Sequence, residues 1–459
     1  MSKEGKKGTA TGARCGSAPR APEYASLPAA MSRAARAGEE LREIDVRIEV
    51  VTPILGGGYR TRTIDDVDGI RAPSVRGQLR FWWRALYAHE CATPSELFER
   101  ESELWGRAAT EAGGRSAVEL RVRLEHTGKS DETDINLQRT PGAYALWPAR
   151  AERRTNTTPA PRRMPGTKFR LTLMAPASRE TEVRNALRAW ILFGGYGGRT
   201  RRGLGSLKVI GGVDGWLPTD ATREAIKQLF GRDIFADCGK PPNDVPWLAG
   251  AALQIGTATK DAQSAWTTAL DWLKEFRQGT SGQQGDRARE PGTGKPQPQR
   301  PSISNWPEAD KVRHFYRKIR AHPPRHNTTP AWPRAGFGLP IIGQFQKNAR
   351  DGSRYDEPDG FELRWRAGTT EHDRLASPLI VKALPLADGS FVPCALWLHR
   401  AYPAGGVILR GVNNSQAPFN RLVAAGDMPL FSALANKQSL RQAFLDWLHA
   451  KYKTTVLAP

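Results

Sequence analysis

Arg76, Arg80 and Arg84 follow one another at intervals of four in Arg76-Gly-Gln-Leu-Arg80-Phe-Trp-Trp-Arg84-Ala-Leu86. On a helix of 3.6 residues per turn they form one stripe, beside a face made of Leu79, Trp82, Trp83 and Leu86. The apolar face anchors such a helix and leaves the arginines pointing outward. A guanidinium is always charged at neutral pH and carries a fork of N–H donors, so its chemistry is the holding of anions, not the removal of protons. Gly77 sits in the first turn, where glycine is about 1 kcal/mol poorer than alanine. Its presence predicts a close approach to the backbone, and a phosphate suits a helix start, with its free N–H groups and positive dipole end. Arg71, just ahead of the helix, joins this group of candidates. The bland reading of the same stripe is a solvated surface.

A second candidate is Gly194-Gly195-Tyr196-Gly197-Gly198-Arg199-Thr200-Arg201-Arg202-Gly203-Leu204-Gly205-Ser206, with six glycines in the twelve residues 194–205. Glycines admit positive φ and expose successive N–H groups, and Arg199, Arg201 and Arg202 add charge with no acidic neighbour. The candidates for contact with a phosphate backbone are therefore Gly195, Gly197, Gly198 and Gly203 together with those three arginines. The Gly-Lys-Ser/Thr ending of a Walker loop is missing, as is the Rossmann glycine spacing, which disfavours a nucleotide-binding enzyme.

Catalysis needs other residue types. Asp65, Asp66 and Asp68 cluster in one polar crossing, where a carboxylate would align a 2′-hydroxyl or hold a metal, or else form an acidic turn paired with Arg60 or Arg62. His89 and His314 are lone candidates for a general base. His322 and His326 are four apart, but Pro323-Pro324 breaks the helix that would aim both at one metal. Cys15, Cys91, Cys238 and Cys394 lie far apart with no CxxC pair, so free thiols are expected, with neither disulfide framework nor zinc ribbon. No catalytic residue, metal or cofactor is predicted.

The whole chain shares the basic character of these motifs. Its 459 residues hold 68 Lys plus Arg against 47 Asp plus Glu, a formal net charge of +21, which calls for a polyanionic partner, nucleic acid first. A membrane is disfavoured: there is no basic amphipathic helix with a clean apolar face and no apolar run near the ~18 residues of a spanning helix. The first forty residues lack the apolar core of a signal peptide, so a cytoplasmic protein with a disordered basic leader over 1–40 is expected. Arg139 to Arg170 and Lys311 to Arg325 are further basic stretches. The first reads as a loop that orders on RNA and the second as a helix in which Phe315 or Tyr316 stacks on a base, with a merely solvated charged surface the equal alternative for both.

Ile44, Val46, Ile48 and Val50 alternate with Asp45, Arg47 and Glu49 as in a half-buried strand. The arginine helix follows, then strands near Val118 to Leu124 and Lys168 to Met174, a helix over Val183 to Phe193 and a strand over Leu204 to Ile210. That order is a ferredoxin-like unit, placed at 41–212. In 213–459 the spacing predicts helices at Ala262 to Phe276, Ala309 to Ile319 and Leu440 to Lys451, and strands at Ser377 to Ala383 and Phe391 to Leu398. The segment 278–301 reads as a mobile Gly/Gln-rich insertion.

Thr52-Pro-Ile-Leu-Gly-Gly-Gly58, Ile70-Arg-Ala-Pro-Ser-Val-Arg-Gly-Gln-Leu-Arg-Phe-Trp-Trp-Arg84 and the glycine loop resemble the RAMP superfamily of CRISPR proteins, and within it the first subunit of the Cmr module of type III-B effectors. Phe337-Gly-Leu-Pro340 and Arg374-Leu-Ala-Ser-Pro-Leu379 look like that subunit's later motifs. The resemblance implies an α+β chain of two ferredoxin-like, RRM-like domains with antiparallel sheets and long loops. It implies a non-catalytic subunit at the head of the complex, near the 3′ end of the CRISPR RNA, with CRISPR RNA, target RNA and other RAMP subunits as partners. Some RAMP proteins cut RNA, so an endoribonuclease is the alternative. The leader and the 278–301 insertion depart from the family's compact pattern.

Overall fold

The computed structural model describes residues 38–58, 60–65, 67–107, 114–152, 155–278, 305–318, 326–345 and 356–459. The expected leader up to residue 37, the Gly/Gln-rich insertion from 279 on, Asp66 and His322 lie outside them.

The first half runs β1 (Leu41–Val50), α1 (Ala72–Tyr87), α2 (Pro94–Trp105), β2 (Glu119–His126), β3 (Lys168–Pro176), α3 (Glu180–Phe193) and β4 (Leu207–Val209). Its antiparallel sheet has the order β2-β3-β1-β4, with Val46 opposite Leu171 and Ile48 opposite Val209. This is the strand order of a ferredoxin-like unit. The alternation expected in β1 is present: Ile44, Val46, Ile48 and Val50 are buried, while Asp45 and Arg47 are exposed. Helix α1 starts at Ala72 with Pro73 in its first turn, where a missing N–H costs nothing. Helix α2, unforeseen in the sequence, is capped by the Thr93 hydroxyl, which accepts from Glu96 N at 3.1 Å.

The second half continues with β5 (Trp247–Ile255), α4 (Ala262–Gln278), α5 (Glu308–Phe315), β6 (Ile341–Gly343), β7 (Phe361–Ala367), β8 (Thr370–His372), β9 (Leu379–Pro385), β10 (Phe391–His399), β11 (Gly406–Leu409), α6 (Leu440–Tyr452) and β12 (Thr455–Ala458). The sheet β9-β10-β5-β12 repeats the order of the first, again antiparallel throughout. The chain thus holds two ferredoxin-like units. Strands β6, β7, β8 and β11 form a separate small sheet packed with Trp332 and α5.

The two units stack in four layers. Helices α1 and α3 cover one face of the first sheet and also meet the second, where Ile380, Leu384, Val392, Cys394, Leu396 and Leu398 join their core. The alternate residues Leu379, Val381, Ala383 and Trp397 face the other way, onto α4 and α6. A sheet covered on both faces must be apolar on both faces, and β9 (Leu-Ile-Val-Lys-Ala-Leu-Pro) is buried throughout.

The outer face of the first sheet is open. Among the described residues its strands carry no aromatic platform of the RRM kind but a set of ion pairs: Arg47 with Glu125 at 2.9 Å, Arg170 with Asp45 at 3.5 Å and Lys208 with Glu49 at 3.1 Å.

Candidate nucleic-acid interface

The predicted face of α1 is the core: Leu79, Trp82, Trp83 and Leu86 are all buried. The arginine stripe is less free than its spacing implied. Arg80 Nε and Arg84 Nη1 both donate to Glu101 Oε1, at 2.6 and 2.5 Å, and Glu101 on α2 is almost wholly buried. The expectation that all three arginines point outward is therefore corrected for Arg80 and Arg84, whose side chains remain 31% and 32% exposed beside their carboxylate. Arg76 donates to the Val118 carbonyl at 3.2 Å. With Arg80 it lines a cavity of about 550 Å³ that also includes Arg115, Ser116 and Glu119. Gly77 is exposed, and a Cβ there would meet no protein atom within 4 Å, so internal packing does not demand glycine. Arg71 is a tether: its N–H donates to the Tyr196 hydroxyl at 2.9 Å and its guanidinium to the Gly57 carbonyl at 2.7 Å.

The glycine loop is a second, different site. Its glycines serve the protein's own packing more than was expected. A Cβ on Gly203, at φ +75°, would lie 2.4 Å from Trp266 Cδ1, and one on Gly197, at φ +91°, 2.8 Å from Ile54 Cγ2. On Gly195 it would meet the Gly205 and Leu204 carbonyls at 2.9 Å, and on Gly198 the Leu55 carbonyl at 3.0 Å. Nor are all the N–H groups presented outward: Gly198 donates to the Leu55 carbonyl at 2.6 Å and Gly203 to that of Thr200 at 2.9 Å. The end of β1 pins the loop, because the buried Thr52 hydroxyl donates to the Gly203 carbonyl at 2.7 Å and accepts from Ser206 N at 2.8 Å. From the second unit, Trp266 Nε1 donates to the Arg202 carbonyl at 2.7 Å.

This rigid loop aims its arginines into a cavity of about 370 Å³ between the units. Arg199, Thr200, Arg201 and Arg202 form one wall, Arg277 at the end of α4 another, and Phe337-Gly338-Leu339-Pro340 with Leu375 and Ser377 the third. The two sequence motifs of the second half thus converge on the glycine loop, held together by paired backbone hydrogen bonds between Leu339 and Leu375. Among the described residues no carboxylate lines the cavity. Arg201 donates to the Ser377 carbonyl and lies 5.4 Å from the Phe81 ring. Arg277 lies 5.5 Å over Phe337, and Arg202 lies 5.4 Å over Tyr144 with its Nη1 buried and without a partner. Burial pushes Arg201 and Arg277 down to about 10, although both keep some surface open to the cavity. They remain cations at neutral pH, deprived of water and of a counter-charge. Glu308, the acid whose field reaches Arg277, is itself held by Arg334 at 3.2 Å. Sequence reasoning missed Arg277, which lies 75 residues beyond Arg202 and has no motif around it.

Other basic stretches turn inward in part. Lys311 and Arg313 are fully buried, paired with Asp427 at 2.6 Å and Glu357 at 2.8 Å, so their half of the Lys311 to Arg325 stretch is no RNA surface. In the expected RNA-wrapping loop, Arg162 is buried against Asp131. Arg62 fastens the same loop through the Arg150 and Thr158 carbonyls at 3.0 and 2.6 Å. Arg150 stacks 4.2 Å over the half-exposed Trp147.

Of the groups weighed for catalysis, Asp65, His314 and His326 are engaged in local structure. Asp65 Oδ1 accepts from Asp68 N and Val67 N at 2.9 and 3.0 Å, and these bonds hold its carboxyl below the usual range. His314 Nε2 meets the His326 carbonyl at 2.8 Å, and His326 Nδ1 meets Asp310 at 3.0 Å in a buried setting. His89 is pushed below its ordinary value by burial and lies 3.4 Å from Arg232 Nη2. Among the described residues no three His, Cys, Asp or Glu side chains could hold a metal, and no helix is long and apolar enough to cross a membrane.

Residues 47–208 match the model of the RAMP superfamily. Over 148 residues the chain is 28% identical to CRISPR system Cmr subunit Cmr1-1 of Pyrococcus furiosus, a match covering 31% of this chain and 40% of that protein. The apo crystal structure of Cmr1 from Pyrococcus furiosus aligns with a TM-score of 0.49 at 15% identity, covering 91% of this chain and 99% of the other. A chain of the type III-B Cmr-beta complex bound to cognate target RNA aligns with a TM-score of 0.40 at 13% identity, covering 89% and 100%.

Proposed function

We propose that the chain, whose residues 47–208 match the RAMP-superfamily model, is a non-catalytic RNA-binding subunit of a Cmr-type, type III-B CRISPR effector, similar in role to the Cmr subunit it matches in sequence. Its partners are CRISPR RNA, adjoining target RNA and sister RAMP subunits, and its place is at the head of the complex near the 3′ end of the CRISPR RNA. The observation that carries the RNA reading is the cavity between the two units, where Arg199, Arg201, Arg202 and Arg277 converge with no carboxylate among the described lining residues. Arginines that fold without counter-ions are prepared for phosphate. The net charge of +21 supplies long-range attraction to the same polyanion.

The absence of catalysis is part of this proposal. Its support is that Asp65, His314 and His326 are each engaged in local structure, and arginines make poor general bases. The test is fluorescence anisotropy with single-stranded RNA at increasing salt. Binding is expected to weaken with a log–log slope of about −0.7 for each phosphate neutralised. Affinity independent of salt, or defined cuts in labelled RNA that vanish on Asp65→Ala or His89→Ala, would overturn the reading. Assembly is tested separately: CRISPR RNA and sister subunits are expected to co-purify with the tagged chain.

A further inference from the structure

Accepting that the cavity binds RNA, we propose that it takes the terminal phosphate of a strand, a phosphomonoester, in preference to the phosphodiesters along the chain. Three observations lead there. First, the charge is in excess: Arg199, Arg201, Arg202 and Arg277 face one space, and among the described residues none of them has an ion-pair partner. One diester offers a single negative charge. A monoester near neutral pH carries about −1.5 to −2 and three oxygens able to accept several guanidinium donors at once. Second, the Arg202 guanidinium is largely buried against Tyr144 with no carboxylate beside it, so its charge stays uncompensated at the cavity wall.

Third, the size and walls suit an end. About 370 Å³ is at the low end of small-ligand sites, which run about 300–1,000 Å³. That is room for one nucleotide-sized group, in a recess that opens to solvent. The wall opposite the glycine loop is apolar, with Phe337, Leu339, Pro340 and Leu375, and offers a base or ribose a dry contact beside the phosphate. Pinning of the loop by Thr52 and Trp266 fixes its main chain before a ligand arrives, and such preorganisation lowers the cost of ordering the site around one compact anion.

The experiment compares one RNA sequence in four forms, with a 3′-phosphate, a 5′-phosphate, both or neither, by anisotropy on the full chain, with a mononucleotide as competitor. One phosphorylated form is expected to bind at least tenfold more tightly than the hydroxyl-ended form. That preference should shrink as pH falls through about 6, where the monoester takes its second proton, which a merely structural role of the arginines would not produce. Arg202→Met with Arg277→Met should abolish the preference while leaving weaker binding to hydroxyl-ended RNA, and Arg202→Lys should restore part of it if the thermal melt shows a folded chain. Equal binding of all four forms overturns the inference and leaves the RNA-binding reading standing. Loss of binding to every form overturns both. A mononucleotide that competes as well as phosphorylated RNA overturns the assignment to a strand end in favour of a free nucleotide.

Discussion

Lys382, on the buried second sheet, donates from Nζ to the Gly194 carbonyl at 2.8 Å and to the Ile191 carbonyl at 3.1 Å. One unit thereby closes the C-terminal end of a helix in the other, at the residue where the glycine loop begins. A cation there complements the helix dipole and satisfies carbonyls that helix geometry leaves unpaired. It also breaks the apolar run of β9 on the face turned toward α1 and α3.

That position makes stability depend on pH. Burial pushes Lys382 down to about 7 from an ordinary value near 10.5. The folded chain thus holds this proton less tightly than the unfolded one. Between pH 7 and 10.5 the unfolded state carries more protons, so stability rises with pH across that window and levels off below it. Lys382→Met should flatten the rise, one pKa unit corresponding to about 1.4 kcal/mol. Urea titrations of the two proteins at pH 7 and 9 measure the difference.

Arg80→Glu should destabilise the chain, because it sets a second carboxylate against buried Glu101 in place of a 2.6 Å ion pair. A loss of about 1–3 kcal/mol is expected from the hydrogen bond to a charged group alone. Glu101→Gln is the informative partner, since it loosens both Arg80 and Arg84. If that face touches RNA, affinity at low salt should rise while the melting temperature falls.

Two glycines of the same sequence class should answer alanine in opposite ways. Gly203→Ala forces a Cβ to within 2.4 Å of Trp266 at a φ of +75°, so the melting temperature and RNA binding should both drop. Gly77→Ala meets open space inside a helix, and a gain of about 1 kcal/mol is expected in thermal unfolding. Reduced RNA affinity in that stabilised variant would identify Gly77 as a contact.

Arg277→Met should leave the RNA-free chain at least as stable as the parent. The substitution removes a buried cation without a counter-ion and keeps a chain of similar reach over Phe337. RNA should stabilise the parent in a melting experiment more than it stabilises the variant.

What the sequence made legible was local. The alternation in β1 and the Trp82-Trp83 face of α1 each follow from a period within one element. What it hid was distant. Nothing near Arg80 announces that Glu101 will return across α2, and nothing near Arg202 announces Arg277. Strand β5, Trp-Leu-Ala-Gly-Ala-Ala-Leu-Gln-Ile, escaped because a strand covered on both faces shows no alternation. The glycine count in 194–205 pointed to the right loop, but the role of most of those glycines is set by neighbours as remote as Trp266.

Because α1 and α3 are shared between two sheets, neither ferredoxin-like unit owns its core. A fragment ending after β4 would turn toward water the helix faces that Leu384, Leu396 and Leu398 now cover. The arginine cavity therefore has the fixed width of a seam and not the swing of a hinge: a strand end must fit the slot as it stands. Heat should open the seam and unfold both units in a single step, and a ligand held across it should raise that one transition as a whole.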